Sequence, residues 1–212
     1  MTDTADNLQL IVGSRNRKKT AEIAGLLAPH GIEVVSIADF PDAPVVVEDG
    51  ETFADNAAKK ASETASFLGQ WVLAEDSGLC VDALQGAPGV YSARFSGEDT
   101  TDDANNRKLI AELNGVPAER RGAGYSCHVA VADNEGTIRL TSCGTCRGQI
   151  VDTASGSNGF GYDPHFLIPE YHQTFGELSP LVKQQLSHRA RAFQRLISRL
   201  VALVRSLSTR AN

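Results

Sequence analysis

The sequence predicts an α/β protein built on a mixed β-sheet, and three observations carry that prediction. Apolar runs of strand length alternate with stretches whose apolar residues recur at helical spacing. Two long runs, 123–132 and 137–151, are separated only by the turn residues Asp133-Asn134-Glu135-Gly136, which adds a long hairpin to the alternation. Of the 212 residues, 42% are hydrophobic and 22% charged, which suits a sizeable core and not a disordered chain. That length fits one domain, or one domain with two lobes.

The elements follow in order. Leu8–Val12 is a buried strand, and Gly13-Ser14-Arg15-Asn16 is a turn. Arg17 to about Leu27 is a helix with Ile23, Leu26 and Leu27 on one face, stopped by Pro29 and Gly31. Val34–Ile37 and Val45–Glu48 are short strands. Thr52 caps a helix running to about Leu68, with Asp55 at its third position as in a capping box. Ala57, Ala61 and Ala65 give that helix a stripe of small residues for close packing. The run from Trp71 to Ala74 is a strand that ends at Glu75, and 79–99 is loop. Thr101 starts a helix to Leu113 that Gly115 ends. After the hairpin comes a glycine-rich loop, Gly156–Pro164. Ser187 caps a last helix whose apolar face is Phe193, Leu196, Ile197, Leu200 and Val204.

Composition excludes several classes. A net charge of −6 argues against a general nucleic-acid binder, which would carry a basic face. No apolar stretch is long enough to span a membrane. Residues 1–7 are polar, with no basic start or apolar core, and are expected as a disordered tail rather than a signal peptide. The folded unit is expected over 8–205, with a frayed tail at 206–212. The four cysteines include Cys143-Gly-Thr-Cys146, but a structural zinc site needs a second ligand pair, and a strand would point positions three apart to opposite faces. Free thiols in a reducing cytoplasm are the expected reading.

Five groups of residues carry chemistry. In Ala74-Glu75-Asp76-Ser77-Gly78, two carboxylates end an apolar run, where Asp76 could hold a metal or take a proton from water; the same residues fit a simple acidic turn. Ser14, Arg15, Asn16, Arg17, Lys18 and Lys19 lie between the first strand and helix, where unbonded N–H groups attract anions; a solvated basic turn fits as well. Glu48 closes an apolar run and could share a metal with Asp76, with Lys60 on the next helix balancing phosphate charge. In Asn158-Gly159-Phe160-Gly161-Tyr162-Asp163-Pro164, two glycines expose an aromatic ring that could stack on a base, or two core aromatics close a turn. Ser187-His188-Arg189, with Lys183 upstream, places cations at the positive end of a helix dipole, which an electron-rich ligand would compensate. No nucleophile elbow and no H-E-x-x-H pattern is present.

In this order and spacing these groups resemble the Ham1/RdgB family, the inosine triphosphate pyrophosphatases, over about residues 8–200. The matching elements are Ser14-x-Asn16-x-x-Lys19-x-x-Glu22, Glu48-x-Gly50-x-Thr52-Phe53-x-x-Asn56-Ala57-x-x-Lys60-Ala61, Asp76-Ser77-Gly78-Leu79, and Gly86-Ala-Pro-Gly89-Val-Tyr-Ser-Ala-Arg94. Gly159-Phe-Gly-Tyr-Asp-Pro164, Glu177-Leu178, Lys183 and Ser187-His-Arg189 complete the set. The resemblance implies a two-lobed, twisted mixed sheet flanked by helices, with the active cleft between lobes. It implies a cytoplasmic homodimer that uses Mg2+ to hydrolyse ITP, dITP and XTP to monophosphate and pyrophosphate. Carried onto this chain, Asp76 is the catalytic acid and Glu48 a metal-side carboxylate. Ser14 to Lys19 and Lys60 lie on the phosphate side. Ser77, Phe160, Gly161, Tyr162, Asp163, Lys183, His188 and Arg189 contact the nucleotide. Two departures stand out: Glu75 replaces the family's first Asp of Asp-Asp-Ser-Gly, and Gly176 replaces the Ala of Ala-Glu-Leu, which is expected to be a harmless packing change. A Maf-like pyrophosphatase and a non-catalytic nucleotide sensor are the rival readings. The Phe160 loop with Ser187-His188-Arg189 counts against the first, and the intact acids Glu48 and Asp76 count against the second.

Overall fold

The computed structural model describes residues 10–98 and 100–208; the expected tail 1–7, Leu8 and Gln9 of the first strand, and 209–212 of the C-terminal tail lie outside them. Among the described residues, seven strands form one sheet in the order β2-β1-β3-β4-β5-β6-β7. They are β1 (Leu10–Val12), β2 (Val34–Ser36), β3 (Val72–Val81), β4 (Gly122–Ala132), β5 (Ile138–Ile150), β6 (Phe166–Ile168) and β7 (Gln173–Thr174). β1 pairs in parallel with β2 and β3, whereas β6 pairs antiparallel with β5 and β7, so the sheet is mixed. The helices are α1 (Arg17–Leu27), α2 (Phe53–Leu68), α3 (Asp102–Glu112), α4 (Pro180–Leu186) and α5 (His188–Ser208). Among the described residues no helix is long and apolar enough to cross a membrane.

The chain divides into two compact units. In the first, whose described residues are 10–75, 128–142 and 192–208, α2 is fixed at both ends by its own sequence. The Thr52 hydroxyl accepts the Asp55 N–H at 3.1 Å and donates to the Asp55 carboxylate at 2.7 Å, and Gly69 ends the helix with φ +63°. Ala57, Ala61 and Ala65 are almost wholly buried and pack with Val72, Ala74 and Ala130, as methyl groups that permit a close approach must. Phe193, Leu196 and Leu200 of α5 are fully buried. The second unit, Asp76–Cys127 and Cys143–Arg191, has an aromatic core: Tyr125 meets Phe166 edge-on at 4.7 Å and stacks with Phe175 at 6.0 Å.

Two predicted elements are corrected. Residues 45–48 form no strand, and Val45 and Val47 stand 76% and 66% exposed; the place beside β1 is taken by β2. β3 does not end at Glu75 but continues to Val81, so Ser77-Gly78 is strand rather than turn. The Glu75 carboxylate is answered in place by Lys19 at 3.1 Å, and continuing the strand buries Leu79 and Val81 completely. The irregular stretch therefore begins at Asp82, as short 3-10 turns. Three elements were not expected: α4, β6 and β7. α4 opens on Ser179-Pro180, with the Ser179 hydroxyl accepting the Val182 N–H at 3.4 Å.

The C-x-x-C pair behaves as strand geometry requires. Cys143 is exposed and Cys146 buried, and burial pushes the Cys146 thiol up to about 11. The turn between β4 and β5 is organised by Asp133, which is 4% exposed. One carboxylate oxygen accepts the N–H groups of Glu135 and Thr137 at 3.1 and 2.9 Å; the other accepts from Arg139 at 2.6 Å. Burial alone would raise its pKa, but these donors outweigh it and hold the carboxyl below its usual 3.8. A depressed folded-state pKa gives stability that is complete above the unfolded value and lost as pH falls through the folded one. Acid titration of Tm should therefore show a loss beginning near pH 3.8 that is flattened in Asp133→Asn. At pH 7, Asp133→Ala should cost about 2 kcal/mol, since hydrogen bonds to a charged group are worth roughly 1.5–3 kcal/mol.

Candidate active site

In the first unit, two lysines of the expected phosphate side each face a carboxylate. Lys19 in the first turn of α1 meets Glu75 of β3 at 3.1 Å, with the glutamate side chain fully buried. Lys60 of α2 meets Glu48 at 3.0 Å. Two residues beyond Glu48, the Gly50 N–H donates to the Asn56 carboxamide oxygen at 2.8 Å. A Cβ on Gly50 would lie 2.7 Å from that oxygen, which is why glycine stands there. Next to this pair, the Lys59 ammonium hydrogen-bonds Asp49 at 2.5 Å and holds its carboxyl below the usual range.

The basic segment is only partly as expected. The Asn16 carboxamide oxygen accepts the N–H groups of Lys18 and Lys19 at 3.0 and 3.2 Å, so two of the α1 donors expected to meet an anion are capped internally. Arg15 donates to the Ala43 carbonyl at 2.5 Å. Arg17 and Lys18 are exposed, and the Ser14 hydroxyl accepts the Asn16 N–H at 3.3 Å.

The second unit brings most of the expected nucleotide residues into one cluster. Arg189 is 1% exposed, one of the largest fully buried side chains. Its guanidinium donates to the Ser77 hydroxyl at 3.3 Å and lies 5.9 Å from the centre of the Phe160 ring. The Lys183 ammonium lies 5.1 Å from the same ring and 2.6 Å from Asp163. That Asp163 oxygen also accepts the Phe160 N–H at 2.9 Å, tying the loop to the lysine. A Cβ on Gly159 would lie 2.0 Å from it. The His188 ring stacks on Tyr125 at 4.7 Å, with 11° between planes. The Ser187 hydroxyl accepts the Ala190 N–H at 3.2 Å, the predicted cap of α5. Asp76 is 5% exposed, one residue ahead of Ser77 on β3.

Tyr162 takes a structural place. It is 3% exposed, its hydroxyl donates to the Ser92 carbonyl at 2.8 Å, and burial pushes its phenol well up. Gly176 stands at a close backbone approach. A Cβ there would lie 2.5 Å from the Ser155 carbonyl oxygen, and one on Gly156 would lie 2.0 Å from the Gly176 oxygen. Two backbones pass in contact at this point, and glycine is what the contact admits. Asp102 and Asn106 of α3, which carry no sequence motif, both bond Gly161.

Among the described residues no group of three or more His, Cys, Asp or Glu side chains is placed to hold a metal ion. Of the expected metal pair, Glu48 belongs to the first unit and Asp76 to the second.

A family model described as the Ham1 family matches residues 10–199. A dITP/XTP pyrophosphatase of Rhodopirellula baltica is 54% identical over 202 residues, covering 95% of this chain and 97% of its own. A HAM1 protein from Coxiella burnetii has a solved structure that aligns with a TM-score of 0.83 at 36% identity, covering 92% of this chain and 99% of its own. The solved nucleoside-triphosphatase, or dITP/XTP pyrophosphatase, from Mycobacterium abscessus aligns at 0.72 and 43% identity, covering 89% and 98%. The mixed sheet, the Phe160 cluster and the span of these matches lead to one conclusion: the chain belongs to the Ham1 family.

Proposed function

We propose that the protein hydrolyses deaminated purine nucleoside triphosphates (ITP, dITP and XTP) to the nucleoside monophosphate and pyrophosphate, with magnesium. The observation that carries this reading is the pair of cations over one aromatic ring: Lys183 and Arg189 at Phe160, with Arg189 buried. A ring face accepts a base by stacking. A fixed arginine fork matches the adjacent O6 and N7 acceptors of a 6-oxo purine. The names of the Rhodopirellula and Mycobacterium relatives support dITP and XTP among these substrates.

In the reaction, a water oxygen attacks the α-phosphorus and the bond to the bridging oxygen of the pyrophosphate breaks. Asp76 orients that water and takes its proton. Lys19 and Lys60 steady the negative charge of the phosphates.

The carboxylates present are the hard oxygen donors magnesium accepts, and it needs only one or two of them beside waters and phosphate oxygens. Lys19 and Lys60 each already face a carboxylate, so a triphosphate calls for positive charge beyond theirs. Glu48 and Asp76 would hold the ion, which when bound neutralises charge on the phosphates. The same reading makes the enzyme a cytoplasmic homodimer acting on a small molecule.

Phosphorus NMR of a dITP digest tests the chemistry. Monophosphate and pyrophosphate should form in equal amounts, and only with a divalent ion. Orthophosphate and diphosphate as products would reject attack at the α-phosphorus; full activity in chelator would reject the metal.

A further inference from the structure

The Phe160 ring sits on a segment with little backbone bonding of its own, a single long bond from the Asp163 N–H to the Phe160 carbonyl at 3.4 Å. Gly159 and Gly161 flank it with φ +77° and +64°, and glycine is the residue least restricted by its own sterics. Something outside the segment must hold it. On one side Asp163 accepts the Phe160 N–H. On the other, α3 grips both polar groups of Gly161. The Asp102 carboxylate accepts the Gly161 N–H at 2.8 Å, and the Asn106 carboxamide donates to the Gly161 carbonyl at 2.9 Å.

Asp102 and Asn106 are four residues apart, on one face of the helix. The helix is itself well anchored. The Thr101 hydroxyl accepts the Ala104 N–H at 3.2 Å, Asn105 accepts the Ser96 N–H at 2.8 Å and donates to the Ala93 carbonyl at 3.2 Å, and Leu109 is fully buried. Asn106 is 8% exposed, and its carboxamide oxygen has no hydrogen-bond partner. Burying that oxygen is unfavourable, and a leucine would avoid it. What the carboxamide does at this position is hold Gly161.

We propose that Asp102 and Asn106 are positioning residues that set the Phe160 ring for the purine base. The inference rests on the nucleotide reading above and names the residues that make its base-binding surface rigid. Neither touches the reacting atoms. Without them the segment must be ordered when the base arrives, and that entropy is subtracted from affinity.

The test uses the two halves of the substrate as separate probes, with calorimetry of inosine monophosphate and of inorganic pyrophosphate on the full chain. Wild type should bind both; failure to bind inosine monophosphate would reject the nucleotide reading itself. Given that binding, Asp102→Ala and Asn106→Leu should each weaken inosine monophosphate by about five- to tenfold, the lower part of what a lost base–aromatic stack costs, and leave pyrophosphate unchanged. In turnover of dITP, KM should rise by the same factor with kcat unaltered. Asp102→Asn keeps an oxygen to accept the Gly161 N–H and should restore wild-type affinity. If Asn106→Leu does not fold, the Asp102 variants, on the exposed first turn of α3, decide the matter. Equal loss for both probes, no loss for either, or an Asp102→Asn variant as weak as Asp102→Ala would overturn the proposal.

Discussion

Asp76→Asn is expected to lower dITP turnover by about 10²–10⁴-fold while nucleotide binding persists, the usual effect of removing a general base. The exchange keeps the shape of the side chain and an oxygen acceptor and removes the group that can take a proton. Asp76 is 5% exposed within β3, so the substitution should leave the strand intact. Single-turnover rates on the folded variant, beside calorimetry of inosine monophosphate, separate the two effects. Near-normal turnover would remove Asp76 from the reaction; loss of binding with loss of rate would make it a ligand for the phosphates or their metal.

Arg189→Ala should narrow the preference for ITP over ATP by about 1–3 kcal/mol in kcat/KM, the worth of a bidentate contact to a base. The reason is that adenine presents an amino donor at position six, which a guanidinium cannot satisfy, so a buried arginine rejects it strongly. Phe160→Ala should instead weaken both nucleotides alike, because stacking tolerates any base. Since Arg189 is buried and bonded to Ser77, its variant needs a Tm measurement at the same time. An equal fall for ITP and ATP would assign Arg189 to phosphate and leave the hydrolysis itself standing.

What the sequence disclosed and what it hid separate on physical lines. Local devices were legible: the Thr52–Asp55 box, the Ser187 cap and the alanine stripe of α2 act within a few residues of each other. The hairpin was legible because each long run carries its own period and the turn its own residues. Long-range partners were not. The run ending in Glu75 looks finished because a buried carboxylate needs a cation, and that cation, Lys19, lies far back in the chain. The 45–48 run looks like a strand because three consecutive valines say nothing about whether a neighbour is vacant. At the site, Lys183, His188, Arg189 and Phe160 stood out through their setting, charges at a helix start and an aromatic between glycines. Asp102 and Asn106 did not, since their partner Gly161 is more than fifty residues away in sequence. α4 is signalled only by Ser179-Pro180 at its start, whereas β6 and β7 are too short to have a period of their own.

The chain passes between its two units at Glu75–Asp76, Cys127–His128, Ser142–Cys143 and Arg191–Ala192, and each passage falls inside a strand or helix: β3, β4, β5 or α5. Neither unit is therefore a module in the genetic sense. No single cut of the gene yields one of them whole, and any fragment ending at a passage would carry half an element with its ladder or helical bonds unmet. Gene fusion, exon exchange and split-protein designs succeed where a boundary lies in a loop. In this chain such boundaries are found only within a unit, so the two units can be acquired or lost only together.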